Sequence, residues 1–203
     1  MAGKDLKLGE AIGFGWKTAT GNLWFFIGVM AITLAISGLQ NVLTGGEPNL
    51  ITALLGLVFA VVNMIVTMGT MKIALKFCDG QKGEYSDLYN MYPMFWGYLG
   101  AAILYAIMVV AGTVLLIIPG IIVAIQFGFF GYLIIDKQMG VMDSLKMSSK
   151  VTNGAKWKLF GLAILSILIN IAGAVCLLVG LLVTIPTTML AWAYAYRKLS
   201  AQA

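Results

Sequence analysis

The acidic side chains of this chain are the residues whose types could support chemistry, since most of them fall in two short segments. The five acids in these segments, of eight in the chain, are Asp79, Glu84, Asp87, Asp136 and Asp143. Several carboxylates that converge on one place hold a divalent metal ion for phosphoryl transfer. Their spacing matches no recognised pattern, however, and each has lysines nearby that suffice as partners. We therefore expect a solvated charged face and no enzymatic activity.

Metal and cofactor chemistry is disfavoured by the rest of the composition. The chain has no histidine, which is the commonest general base and metal ligand in proteins. It has two cysteines, Cys78 and Cys176, and neither a CxxC nor an HExxH pattern. The sequence therefore predicts no metal and no cofactor.

The elements that must position these residues are unusually apolar. The chain of 203 residues is 61% hydrophobic and 10% charged, with a mean hydropathy of +0.95, whereas about a quarter of the residues of soluble domains are charged. Lipid is therefore the solvent for most of it. The formal charge of +5 does not indicate nucleic acid, because the basic residues flank apolar segments. An anionic leaflet surface explains them better.

The thirteen lysines and arginines lie in four groups, and three long apolar stretches separate them. The stretches are Thr18 to Met71, interrupted only by Glu47, Leu88 to Ile135, and Leu159 to Tyr196. A helix crosses the hydrocarbon core in roughly 20 residues, so each stretch predicts a hairpin of two helices. Because short cytoplasmic loops are rich in lysine and arginine, both termini are expected inside. The prediction is an all-α, six-span, multi-pass membrane protein, a single domain over residues 1–203.

A weak three-fold parallel repeat covers residues 5–76, 82–136 and 141–199. Shifting the chain by 133 positions aligns Lys17 with Lys150 and Trp24 with Trp157, among other matches. Each unit is predicted to begin with a short cytoplasmic helix, followed by an interfacial tryptophan and a transmembrane hairpin. In the middle unit the first helix is shorter and aromatic.

The first helix, expected over about Asp5 to Thr20, has an apolar stripe of Leu8, Ile12 and Trp16 at spacings of four. Such helices lie in the headgroup plane of a bilayer. Their opposite, polar stripes predict one face that contacts anionic lipid headgroups or a membrane-protein partner. The residues of this face are Glu10, Lys17, Asp143, Lys146 and Lys150.

Within the predicted spans no ionisable residue lies near the middle, so transport through a buried carboxylate is disfavoured. The amides Asn63, Gln126 and Asn170 either line a path for a neutral solute or form hydrogen bonds between helices.

Pro119 and Gly120 predict the turn that starts the fourth span. Pro186, followed by two threonines, predicts a kink in the sixth.

Residues 118–160 and both ends of the chain resemble a group of bacterial integral membrane proteins, the DUF975 and YciC-like families. These are related to the membrane domain of some glycerophosphodiester phosphodiesterases. The resemblance implies six helices and a bacterial membrane, and it supplies no catalytic residue. It departs at Lys137, where the family often has an acid, and at Ser149, where it often has an aromatic residue. The segments that carry it are Ile118 to Ile121, Tyr132 to Asp136, Met142 to Ser148, Val151 to Gly154 and Trp157 to Phe160, with Phe14 to Lys17 and Tyr194 to Leu199 matching more weakly.

Three functions follow as hypotheses. The first is a non-catalytic membrane protein that organises lipid, or a homo-oligomer, subunit or scaffold of a membrane complex that acts through its cytoplasmic interface. The alternative is a transporter or channel for a small neutral or amphipathic solute, along Asn63, Gln126 and Asn170. The third is an interfacial enzyme for lipid headgroups, which requires at least two of Asp79, Asp87, Asp136 and Asp143 to converge on a metal ion or water.

Overall fold

The protein is a bundle of α-helices in the computed structural model, which describes residues 4–176 and 179–203. No strand occurs in these two ranges. Two short 3₁₀ turns, Tyr85–Leu88 and Tyr92–Met94, precede α4. The helices are α1 (Leu8–Gly21), α2 (Leu23–Thr44), α3 (Leu50–Cys78), α4 (Phe95–Leu115), α5 (Ile117–Phe127), α6 (Phe130–Lys137), α7 (Val141–Thr152), α8 (Lys156–Val175) and α9 (Leu181–Ser200).

Five helical stretches of the described chain are long and apolar enough to cross a membrane. Their surfaces are rich in exposed leucine, isoleucine and valine, as expected for helices whose outer faces contact lipid. The stretches are Leu23–Thr44, Leu50–Cys78, Tyr85–Leu115, Ile117–Lys137 and Lys156–Val175. The predicted sixth span corresponds to α9, which is not one of the five.

Helix α9 is the central helix of the bundle, and its neighbours explain its more polar composition. It packs against α1, α2, α3, α7 and α8, which shield it from the surroundings. Thr187 and Thr188 are buried, and their hydroxyls donate hydrogen bonds to the carbonyls of Val183 and Ile185, in the turn around Pro186. Because its neighbours shield it, α9 does not need a continuous apolar surface, although the buried Thr184 hydroxyl has no hydrogen-bond partner in the described chain.

Helix α1 packs closely along α9 through small residues, while Leu8 and Ile12 of its predicted apolar stripe are half-buried against the core. Ala11, Gly15 and Ala19 are fully buried, and the backbone of Gly15 lies directly against Thr187 of α9. Trp16 is 52% exposed. Small side chains let two helix backbones approach closely, so α1 is a member of the bundle and not a separate surface helix.

The turn before the fourth span lies earlier than the predicted Pro119–Gly120 corner. Leu116 is extended and ends α4, and Pro119 lies in the first turn of α5. Proline is tolerated there, because the first N–H groups of a helix have no intrahelical partner. The span is also divided, since α5 ends at Phe127 and α6 begins at Phe130.

The elements that begin the three predicted units differ. Helices α1 and α7 precede the first and third pairs of long helices, whereas the middle unit begins with the two 3₁₀ turns. The repeat of residues 5–76, 82–136 and 141–199 stays a prediction.

Candidate functional site

The charged residues of α3, α6 and α9 meet at one end of the bundle. Together with α7 and the α7–α8 junction, which follow α6, we call this the basic end. Arg197 of α9 lies between Asp79, which follows α3, and Asp136 of α6. Its Nη2 donates to Asp79 Oδ2 at 2.6 Å, and its Nη1 donates to Asp136 Oδ2 at 2.8 Å. Arg197 thereby connects three helices that are far apart in the sequence.

Tyr196, the residue before this arginine, contributes a third contact to the network. The Tyr196 hydroxyl donates to Asp136 Oδ2 at 2.8 Å, and the Tyr196 ring stacks on Tyr132 with centroids 5.3 Å apart. The Asp136 side chain is only 14% exposed. A carboxylate in this environment requires its donors, because removing a partner leaves a poorly solvated charge.

A second ion pair holds the 3₁₀ turn after α3. Lys76 Nζ lies 2.7 Å from Asp87 Oδ1 and 2.8 Å from Asp87 Oδ2. Asp87 is buried and also accepts the backbone N–H of Glu84. Its carboxylate therefore fixes the loop against α3.

Three of the five predicted acids, Asp79, Asp87 and Asp136, thus pair with basic side chains, and Asp87 and Asp136 are largely buried, so the predicted solvated face is wrong for these two. Asp79 and Asp136 converge, but the guanidinium of Arg197 occupies the space between them. In residues 4–176 and 179–203, no group of three or more histidine, cysteine, aspartate or glutamate side chains is arranged to share a metal ion. The geometry is that of an interhelical ion-pair network.

Lys4 binds the junction of α7 and α8. Lys4 Nζ donates to the carbonyls of Lys150 and Val151, each at 2.9 Å, and Lys158 Nζ donates to the Lys4 carbonyl. A cation at a helix C-terminus satisfies carbonyls that lack an intrahelical partner. Partial burial lowers the pKa of Lys4.

The five residues of the predicted polar face are all exposed, and they lie on two helices. On α1, Glu10 pairs with Lys7 and with Lys198 of α9, each at 3.1 Å. The hydrogen bonds from Lys198 and Lys7 lower the pKa of Glu10. Lys17 is exposed further along α1.

On α7, Asp143, Lys146 and Lys150 are exposed. Among the described residues, no carboxylate lies within 4.0 Å of the amino groups of Lys146, Lys150, Lys156 or Lys158. Asp143, the acid nearest in sequence to Lys146, forms no ion pair within 4.0 Å in the described chain, and Asp136 is bound by Arg197. The α7–α8 region therefore keeps a concentrated positive charge.

The three amides of the predicted path form hydrogen bonds in three different places. Asn63 Nδ2 donates to Gln40 Oε1 at 2.8 Å, between α3 and α2. Asn170 Nδ2 donates to Thr188 Oγ1 at 3.3 Å, between α8 and α9. The amide of Gln126, at the end of α5, lies between Ser149 and Lys156. The structure therefore does not bring them together.

Gln126 forms hydrogen bonds between helices, one of its two predicted roles, and its backbone carbonyl adds contacts that the sequence did not predict. Its backbone carbonyl accepts hydrogen bonds from Ser148 and Thr152 of α7, both at 3.0 Å. The sequence carries one indication of these contacts, since the two hydroxyl residues are four positions apart on α7. This spacing places Ser148 and Thr152 on one helical face.

The fold and the basic end together define an all-helical protein whose helices have the length and composition of a multi-pass membrane protein. None of the family models, curated proteins or solved structures compared with the chain matches it. The resemblance to the DUF975 and YciC-like families stays a prediction.

Proposed function

We propose that this is a non-catalytic integral membrane protein whose basic end binds anionic lipid headgroups. By this contact it organises lipid or serves as a subunit or scaffold of a membrane complex. The observation that carries the proposal is that Lys146 and Lys150 on α7 are exposed and have no carboxylate within 4.0 Å among the described residues. Each basic residue near an anionic membrane surface contributes about 1 kcal/mol of attraction.

The proposed topology has six spans, with the basic end on the cytoplasmic side of a bacterial inner membrane. The excess of lysine and arginine at that end supports this orientation. Helix α9 serves as the sixth span, shielded by α1, α2, α3 and α8. The proposed partners are anionic lipids and a membrane protein or a second copy of this chain, and not nucleic acid.

Replacing Lys146 and Lys150 together by glutamate is expected to weaken binding of phosphatidylglycerol by at least about 30-fold, because two attractions of about 1 kcal/mol are lost. Affinity is measured with fluorescent phosphatidylglycerol and the protein purified in mild detergent. The double substitution Lys146→Arg and Lys150→Arg keeps the charge and is expected to bind normally. Equal affinity of the glutamate and arginine variants would contradict the proposal.

A second candidate, a path for a small neutral solute, is favoured by one observation. A cavity of about 350 Å³ lies between α2, α3 and α9, and its lining includes Thr33, Thr70 and Thr188. If solute passes there, Thr188→Val is expected to slow glycerol-driven swelling of reconstituted vesicles several-fold. Swelling no faster than that of protein-free vesicles would remove this candidate.

A further inference from the structure

We propose that the groove between α5 and α8 binds one anionic phospholipid, with an acyl chain along the groove and the headgroup phosphate at Lys156. This inference rests on the proposed function, since it assigns a particular site to the lipid that the basic end recognises. It differs from the exposed α7 face in predicting one tightly held lipid.

The groove consists of two adjoining cavities of about 570 and 440 Å³, which share Ile121, Ile125 and Phe160. One wall is formed by α5 residues at spacings of three and four, including Ile118, Ile121 and Ile125. The facing wall is formed by α8, where Phe160, Ala163 and Ile167 follow the same spacing. Two apolar helical faces therefore lie opposite each other with an open space between them.

The floor of the groove is aromatic and belongs to the core of the bundle. Phe129 and Tyr132 are buried, and Trp192 of the central helix packs edge-to-face on Phe129 with centroids 6.1 Å apart. Along α8 the lining extends from Lys156 to Ile167, which is about 16 Å at the rise of an α-helix. One leaflet of the hydrocarbon core is about 15 Å deep, so the groove has the length of one leaflet.

The mouth of the groove is positively charged and held in place. Lys156 Nζ donates to Gln126 Oε1 at 2.6 Å, and the same amide donates to Ser149 Oγ at 2.8 Å. An ammonium group has three donors, so this contact leaves two available. With no carboxylate within 4.0 Å in the described chain, the charge of Lys156 is free to bind an anion.

An apolar groove with one cation at its mouth fits a phospholipid better than a helix of a partner protein. A phospholipid has one anionic end and an apolar remainder, which matches one cation at the end of an apolar groove. An apolar helix of a partner protein would cover Lys156 without neutralising it, and burying an unpaired charge is strongly unfavourable. Trp157, 85% exposed beside the mouth, is a residue type that favours the headgroup level.

Native mass spectrometry of the protein in mild detergent tests the proposal, with phosphatidylglycerol and phosphatidylcholine as probes. The unaltered protein is expected to retain one phosphatidylglycerol. Ala163→Phe fills the groove and is expected to abolish retention. Lys156→Gln keeps a polar contact with Gln126 but loses the charge, and it is expected to reduce the preference for phosphatidylglycerol about five-fold, equivalent to about 1 kcal/mol. Lys156→Arg serves as the control and is expected to retain the preference.

The measurements distinguish lipid binding in the groove from lipid binding at the α7 face, which consists of Lys146 and Lys150. If the Lys146 and Lys150 glutamate variant binds less phosphatidylglycerol while Ala163→Phe still retains one lipid and Lys156→Gln keeps the full preference for phosphatidylglycerol, the groove is overturned and the proposed function stands. If Ala163→Phe loses its lipid, Lys156→Gln loses its preference for phosphatidylglycerol and the α7 variant binds normally, the groove stands and the α7 face does not. Retention of a copurifying protein in place of lipid, lost in Ala163→Phe, would also overturn the lipid assignment.

Discussion

Replacing Arg197 by methionine is expected to lower the free energy of unfolding by about 2–3 kcal/mol, the largest effect expected of any single side chain at the basic end. The change removes the donors that Asp79 and Asp136 share. Asp136 then keeps only the Tyr196 hydroxyl. The estimate lies below that for a fully buried pair, because the Arg197 side chain is 30% exposed.

Denaturant or thermal unfolding in mild detergent measures this effect. Lys198→Met is the matched control, since Lys198 is the next residue and pairs with the exposed Glu10. Exposed ion pairs contribute less than about 1 kcal/mol. Adding Asp136→Asn to Arg197→Met is expected to recover part of the loss, because the uncompensated carboxylate disappears. Equal stability losses for Arg197→Met and Lys198→Met would show that the network does not hold the helices together.

Two glycine substitutions on α1 are expected to change stability in opposite directions. Gly15→Ala should destabilise the protein by about 1–3 kcal/mol, the usual range for overpacking. A methyl group there would collide with the backbone of Thr187 and lie about as close as 3.3 Å to the Ala191 nitrogen. Backbone atoms in the middle of a helix cannot move away as a flexible side chain would.

Gly13→Ala is the control on the same helix, because nothing lies within 4 Å of a Cβ at Gly13. Alanine is a better helix former than glycine by about 1 kcal/mol, so this variant is expected to be slightly more stable. The two variants are compared by their unfolding midpoints in the same detergent. If α1 lay in the headgroup plane without packing on α9, both substitutions would stabilise it.

Helices α1 and α7 pack differently, although the sequence presents them as copies of one element. Helix α1 uses small residues to contact the central helix, whereas α7 faces α5 with the hydroxyls of Ser148 and Thr152. The exposed lysines of α7 therefore remain available for an anionic partner. On α1, Glu10 is engaged by Lys7 and Lys198.

The amino-acid sequence by itself determined the all-helical class and most of the long helices. Runs of about 20 apolar residues have few other stable forms in lipid, because every backbone polar group must be satisfied within the segment. The apolar pattern predicts spans over about Asn22 to Leu43, Met94 to Ile118 and Lys156 to Val175. Helices α2, α4 and α8 accordingly begin and end within three residues of these bounds. Lysine and arginine placement likewise predicted that charge would gather between the hairpins.

Only the tertiary structure decided which side chains meet. Arg197 contacts Asp79 and Asp136 across separations of 118 and 61 residues, and no local pattern encodes such a pairing. The choice of Ala11, Gly15 and Ala19 as the buried face of α1 also depends on its partner, because close backbone approach to α9 favours the smallest side chains over the most apolar ones. The groove between α5 and α8 arises in the same way, from two helical faces that point toward each other without closing.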